Sequence, residues 1–263
     1  MAERTASRTA ASQLFGEDPT VSTIRTATGP VFELTTLGRV ALEAVLLDLR
    51  VEEPPVDAEH LWIIDPICGS LNFVQGIPYF GISIALRWEG NIRVGVVYDP
   101  CRDELFAATT ETSATLNGRN IVVQQISEGL EAWSSAIVGT DWPRSGERRE
   151  QARLILGLML DQVNECNLMG SPALGICNVA AGRLHAYWHL DLKIWDIAAA
   201  SLILQRAGGV LTDADGMTWL YSDGGYIATN TVIHGWMLNC IRPVLTMPRF
   251  GPATGAPAEK LQG

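Results

Sequence analysis

Long apolar runs are missing from this chain. Its most hydrophobic stretches, such as 61–67 and 81–86, are short and punctuated, far below the roughly 20 residues that span a bilayer, so no membrane partner is expected. Positive charge is scarce as well: 19 Lys and Arg face 29 Asp and Glu, for a net charge of −10. A chain so charged repels a phosphate backbone, which argues against duplex nucleic acid as a partner, and a small anionic substrate would need a local cation. Cysteines are few and odd in number (Cys68, Cys101, Cys166, Cys177 and Cys240), with no C-x-x-C pair. That argues against a disulfide framework or a structural zinc site and leaves most of them as small buried hydrophobes. The polar first 13 residues lack the continuous apolar region of a secretory signal, so a cytoplasmic location is expected. Repeats, low-complexity linkers and charge blocks are absent too.

What is present is core material, with 47% hydrophobic and 18% charged residues over 263 positions, ample for one large domain. Residues 1–30 carry weak periodicity and end in Thr28-Gly29-Pro30, which reads as a variable arm. A single domain is expected over 31–247, and the Pro/Gly-rich 248–263 as a disordered tail. Val40, Ala41, Val45 and Leu49 fall at helical spacing over 37–49, before Arg50-Val-Glu-Glu-Pro-Pro55. Strands are predicted at 61–64, 79–88 and 92–98, with a turn at Glu89-Gly90-Asn91. Residues 104–109 and 121–123 flank Leu116-Asn117-Gly118-Arg119, a second hairpin signal. Helices are predicted over 148–163, 172–181 and 197–207, the last stopped by Gly208-Gly209.

Three places can carry chemistry, and each has a plainer explanation. Asp65-Pro66-Ile67-Cys68-Gly69-Ser70 follows a strand, and its small residues suit a turn whose N–H groups face an anion; a strand-end Asp-Pro is also an ordinary turn. Glu52-Glu53 could be solvated charge. Asp196 precedes the helix predicted at 197–207, where Asp is a common N-cap.

Together these segments resemble the inositol monophosphatase family. Its first signature, roughly W-I-I-D-P-I-D-G-T-x-N-F, stands here as Trp62-Ile-Ile-Asp-Pro-Ile-Cys-Gly-Ser-Leu-Asn-Phe73. Its second stands as Trp195-Asp-Ile-Ala-Ala-Ala-Ser-Leu-Ile-Leu-Gln-Arg-Ala-Gly-Gly209. Gly95-Val-Val-Tyr-Asp-Pro100, Glu104-Leu-Phe-Ala107, Leu116-Asn-Gly-Arg119, Gly170-Ser171, Val179-Ala-Ala-Gly-Arg183 and Ala228-Thr-Asn230 follow the family's order. The resemblance implies an α/β (α+β) layered α/β/α/β/α sandwich, a small polar or phosphorylated substrate, a homodimer and Mg²⁺-assisted phosphate ester hydrolysis. Carried over by position, Glu53 ligates a first metal, Asp65 bridges two, and the Ile67 carbonyl completes the first site. Cys68 and Asp196 share the second. Ser70, in place of the usual Thr, helps Glu53 orient the attacking water. The Gly69 and Ser70 amides hold phosphate, and Gly170, Ser171, His189 and Asp196 line the substrate site.

The departures fall on that same site. Cys68 replaces a carboxylate, and a thiol supplies neither the hardness nor the charge that Mg²⁺ requires; reduced occupancy, or no second ion, is expected. His189 stands where the family often has a substrate-contacting Glu, and the upstream T-x-x-D element has no clear match near 34–38. Three functions stay open: a phosphomonoesterase with an impaired second metal site, a repurposed enzyme using Cys68, His189 and the remaining acids, and an inactive ligand-binding member. Cys68 itself is either a nucleophile or a neutral thiol filling a vacated ligand position. His185 and His189, four apart in a predicted strand, offer only a weak metal pair.

Overall fold

The computed structural model describes residues 23–25, 31–33, 60–124, 126, 132–144, 146–219 and 221–247. Most of the proposed arm, the helix expected over 37–49, Glu52, Glu53 and the tail at 248–263 lie outside the described residues. Strand β1 (Thr23–Arg25) pairs antiparallel with β2 (Val31–Glu33).

Six strands form an antiparallel meander: β3 (His60–Cys68), β4 (Gly81–Trp88), β5 (Asn91–Asp99), β6 (Glu104–Thr109), β7 (Thr115–Leu116) and β8 (Arg119–Asn120). Both predicted hairpin turns close it. Trp88 pairs with Asn91 around Glu89 and Gly90, and Leu116 with Arg119 around Asn117 and Gly118. All four central residues have positive φ, the mirror-image turn whose twist matches the flanking strands. The strand expected at 121–123 does not extend β8, because the Val123 amide donates to the Ala207 carbonyl and the Ile121 amide to that of Ala114.

A second, mixed sheet has the order β10-β9-β11-β13-β12, from β9 (Ile137–Thr140), β10 (Glu165–Leu168), β11 (Ala186–Leu192), β12 (Val210–Asp213) and β13 (Gly224–Thr229). The two sheets sandwich α3 (Pro172–Ala180) and α4 (Ile194–Arg206), while α2 (Gly146–Leu160) and α5 (His234–Leu245) cover the far face of the second sheet. A short α1 (Ser70–Gln75) follows β3.

Side-chain alternation on β11 divides the core. Tyr187 packs into the inter-sheet cluster with Phe106, Leu174 and Ile197, whereas Trp188 and Leu190 pack with Ile155, Met159 and Met237 beneath α2 and α5. Fully burying side chains of this size stabilises by roughly 1.5–3 kcal/mol each, so the sheet is fixed from both faces. The described layers thus run sheet, helices, sheet, helices, as the sandwich class requires. The remaining outer face of the first sheet carries Trp62, 59% exposed, and Ile64, 39% exposed; the helix expected over 37–49 would supply the fifth layer, but it lies outside the described residues.

Candidate active site

The two signatures meet where β3 ends and α4 begins. Asp65 pairs with Ser83 and Cys68 with Gly81, so three steps along β3 match two along β4. Three steps in a regular strand would put Asp65 and Cys68 on opposite faces. The extra residue is a bulge, and it turns both side chains to one side. From across the gap comes Asp196, and the ligand atoms of Asp65, Cys68 and Asp196 all lie within 4.8 Å of one another.

Asp196 is not the N-cap. It is the third residue of α4, and its Oδ2 accepts the Lys193 N–H at 2.8 Å, capping the helix from within. The helix starts earlier than the periodicity predicts because the Ile194 amide finds Asp223 Oδ1 at 3.0 Å. Ser83 Oγ donates to the Trp195 carbonyl at 3.3 Å and ties β4 to this first turn.

The turn after Cys68 needs glycine. Gly69 has φ 104°, and a Cβ there would lie 2.9 Å from the Gly170 carbonyl oxygen and 3.2 Å from Ser171 Cβ. Gly69 and Gly170-Ser171 are therefore in close contact. Ser171 Oγ donates to the Cys68 carbonyl at 2.9 Å, and the Ala173 amide donates to Cys68 Sγ at 3.3 Å. Ser171 is the N-cap of α3, yet its hydroxyl makes no cap bond. The thiol sulfur performs that task, accepting an N–H that the first turn of the helix leaves without an intrahelical partner.

Electrostatics in this corner are adverse to anions. Burial first, and then the charge of Asp196, push the Asp65 carboxyl up to about 7. Burial likewise raises Asp196, against the Lys193 amide and the Arg144 charge, which lower it. Two carboxyls this close cannot both be ionised at low cost, so near neutral pH a proton or a cation must sit between them. The Cys68 thiol is 1% exposed, and burial, Asp65 and Asp196 all push it well above its ordinary value. That opposes a nucleophilic thiolate.

Of the other expected residues, Ile67 donates its N–H to Asp65 Oδ1 at 3.1 Å, and Ser70 opens α1 at the exposed rim. His189 does not belong to the three-donor cluster. It is 6% exposed, its Nδ1 accepts the Asp191 amide at 3.0 Å, and burial lowers it to about 4. His185 is bound up likewise, its Nδ1 accepting the Ile137 amide at 2.9 Å. Glu53 lies outside the described residues.

One residue escaped the sequence reading. Asp141, just past β9, accepts the Gly170 amide at 2.5 Å through Oδ1 and the Tyr187 hydroxyl at 2.7 Å through Oδ2. It thereby fixes the Gly170-Ser171 turn beneath Cys68, and burial raises its carboxyl. The available signal was Thr140-Asp-Trp-Pro143, a strand-end Asp close before a proline, as in Asp65-Pro66.

The motifs and the fold have counterparts among known proteins. The model of the inositol monophosphatase family matches residues 47–244. The chain is 35% identical over 191 residues to an inositol-1-monophosphatase of Mesorhizobium japonicum, covering 72% of this chain and 70% of that one. It is 37% identical over 196 residues to the Nus factor SuhB of Pasteurella multocida, covering 72% and 70%. Among solved structures, the inositol monophosphatase of Anabaena superposes with a TM-score of 0.65 at 33% identity, covering 72% of this chain and 74% of that one. The Thermotoga maritima IMPase gives 0.69 at 25% identity, covering 92% and 94%. With both signatures in register, four layers described in the sandwich's order, a family model over 47–244 and relatives alike over most of their length, the chain belongs to the inositol monophosphatase family.

Proposed function

We propose that this protein hydrolyses a phosphate monoester of a small sugar, cyclitol or nucleotide, with a divalent ion bound by Glu53, Asp65 and the Ile67 carbonyl, and with a second ion position weakened by Cys68. The observation that carries the reading is the convergence of Asp65 and Asp196, one from each signature, beside the Gly69-Ser70 turn. Half-buried carboxyls held together require neutralisation, and a cation-assisted site supplies it.

The donor set decides which ions fit. Asp65 offers a hard oxygen, suited to Mg²⁺. At the second position one of the three described donors is a thiol, and Mg²⁺ demands near-octahedral oxygen ligands, so that position does not fit a second Mg²⁺. A bound divalent ion neutralises phosphate oxygens and acidifies the attacking water. The chain's own residues do the positioning: Asp141 holds Gly170-Ser171, Ser171 holds the Cys68 backbone, and Gly69 lets the chain turn so that the Gly69 and Ser70 amides can take phosphate oxygens. Ser70 and Glu53 orient the water. The family resemblance extends the reading to a cytoplasmic homodimer.

The test is a panel of inositol, fructose and nucleotide monophosphates assayed with Mg²⁺. Wild type should turn over at least one member at the low end of, or below, the ordinary range of about 1–10³ s⁻¹. Cys68→Asp should raise that rate and lower the Mg²⁺ concentration needed. If neither protein releases phosphate from any member, the phosphatase reading fails.

A further inference from the structure

We infer that the Asp65–Cys68–Asp196 cluster is a site for a thiophilic divalent ion of the Zn²⁺ class, in preference to Mg²⁺. The inference rests on reading this corner as the family's cation site and departs from the family in the ion that it assigns.

Three features carry it. The first is donor chemistry. One sulfur and two carboxylate oxygens form the three-protein-ligand, open-position pattern of a tetrahedral zinc site, and zinc accepts sulfur at about 2.3 Å and oxygen at about 2.0–2.2 Å. Ligands at those lengths around a tetrahedral centre lie about 3.3–3.8 Å apart. The donors here lie within 4.8 Å of one another, so a contraction of about 1 Å brings the set to those separations. This is a one-cysteine site of the open kind, distinct from the paired-cysteine structural zinc sites that the spacing argues against.

Outer contacts are the second feature. Each carboxylate has one oxygen committed to a backbone amide: Asp65 Oδ1 to Ile67 at 3.1 Å and Asp196 Oδ2 to Lys193 at 2.8 Å. These bonds hold the two carboxylates in place, the role that outer partners play around metal ligands. Cys68 Sγ receives the Ala173 amide at 3.3 Å, an N–H from the positive end of α3 that favours the thiolate a metal would coordinate.

The bulge is the third. It brings residues 65 and 68 to one side. It thereby sets the sulfur on the same side as the Asp65 carboxylate, the juxtaposition that a mixed sulfur–oxygen ion site needs. A coordinating ion removes the thiol proton outright.

The experiment uses the full chain stripped of metal with a chelator. Co²⁺ is the optical probe for the Zn²⁺ class, because sulfur bonded to Co²⁺ gives a near-ultraviolet charge-transfer band that oxygen ligands do not. Wild type should show the band, one equivalent of Zn²⁺ should abolish it, and Mg²⁺ in large excess should leave it. Cys68→Ser, which keeps a cap for α3, should lose the band while still folding. The ratio of Zn²⁺ to Mg²⁺ affinity should fall by about 10²-fold or more in Cys68→Asp, as soft-ligand selection predicts. A wild-type Co²⁺ complex without the band, or an unchanged affinity ratio in Cys68→Asp, overturns the inference. Because the readout is metal binding, it is separable from the phosphatase assay: the band can be absent while phosphate is released, or present while no phosphomonoester is turned over.

Discussion

Replacing Asp196 by Asn removes one of two carboxyls that crowd each other, and the consequence for stability can be worked from the site. Asp65 rises from 3.8 to about 7 in the folded protein. At about 1.4 kcal/mol per pKa unit, that makes the fold on the order of 4 kcal/mol less stable at neutral pH than if Asp65 titrated normally. Burial is the larger cause and the Asp196 charge the second, so the Asp196 share is about 1–2 kcal/mol. The substituted amide side chain keeps an oxygen for the Lys193 N–H, and the variant forfeits about 0.5 kcal/mol of charge–dipole interaction at the third position of α4. The net gain is about 1 kcal/mol, or roughly 2–4 °C in Tm for a domain of this size. The sign follows from linkage. A carboxyl raised by folding imposes no cost below its unfolded value, and its cost grows as pH climbs from about 4 to about 7 and is constant above. Thermal melts in chelator should therefore place Asp196→Asn above wild type at pH 8 and level with it, or slightly below, at pH 4. Adding Zn²⁺ should raise the wild type more than the variant. If Asp196→Asn melts lower than wild type at pH 8 in chelator, the acids are structural partners and the cation-site reasoning is wrong.

Two further outcomes follow from the same corner. Cys68, buried beside two acids, should resist alkylation between pH 6 and pH 9 in the folded protein; a midpoint clearly below the free-thiol value of about 8.5, with protection by phosphate, would restore it as a nucleophile. Asp141→Ala leaves the buried Tyr187 hydroxyl and the Gly170 amide without their acceptor, so it should cost about 2–4 kcal/mol in chemical denaturation and reduce any phosphate release. A double variant with Tyr187→Phe that recovers stability but not activity would separate the two effects, whereas an Asp141→Ala protein as stable as wild type would remove Asp141 from the site's support.

How much of this was legible in the sequence depends on how local the cause was. The meander could be read because its turns are two-residue signals: Asn117-Gly118 and Glu89-Gly90 carry the positive φ that sets the register. The second sheet was harder. β9, β10 and β12 are four residues each, too short for alternation to stand out, and two of the pairings that hold them are parallel and join strands distant in sequence. The end of β8 also escaped, because the Val123 amide is claimed by Ala207, more than eighty residues away. The N-terminus of α4 went astray for a related reason: Asp223, from a loop still to come in the chain, caps a helix whose own residues suggest a later start.

The site divides along the same line. Asp65, Cys68 and Asp196 were found because each sits in a contiguous signature, and their meeting within 4.8 Å was implied by the resemblance. Asp141 was missed because its work is entirely tertiary: its two partners, Gly170 and Tyr187, are 29 and 46 positions on. The same limit explains Cys68. In the sequence it is a lost carboxylate, and by that measure alone a damaged residue. Only the fold reveals that the sulfur caps α3, that the N-cap hydroxyl has turned to the Cys68 carbonyl instead, and that a bulge sets the thiol on the carboxylate's own side. Here the Ala173 amide has its acceptor in the sulfur, and the mixed set of one sulfur and two carboxylates turns the site toward a softer ion than Mg²⁺.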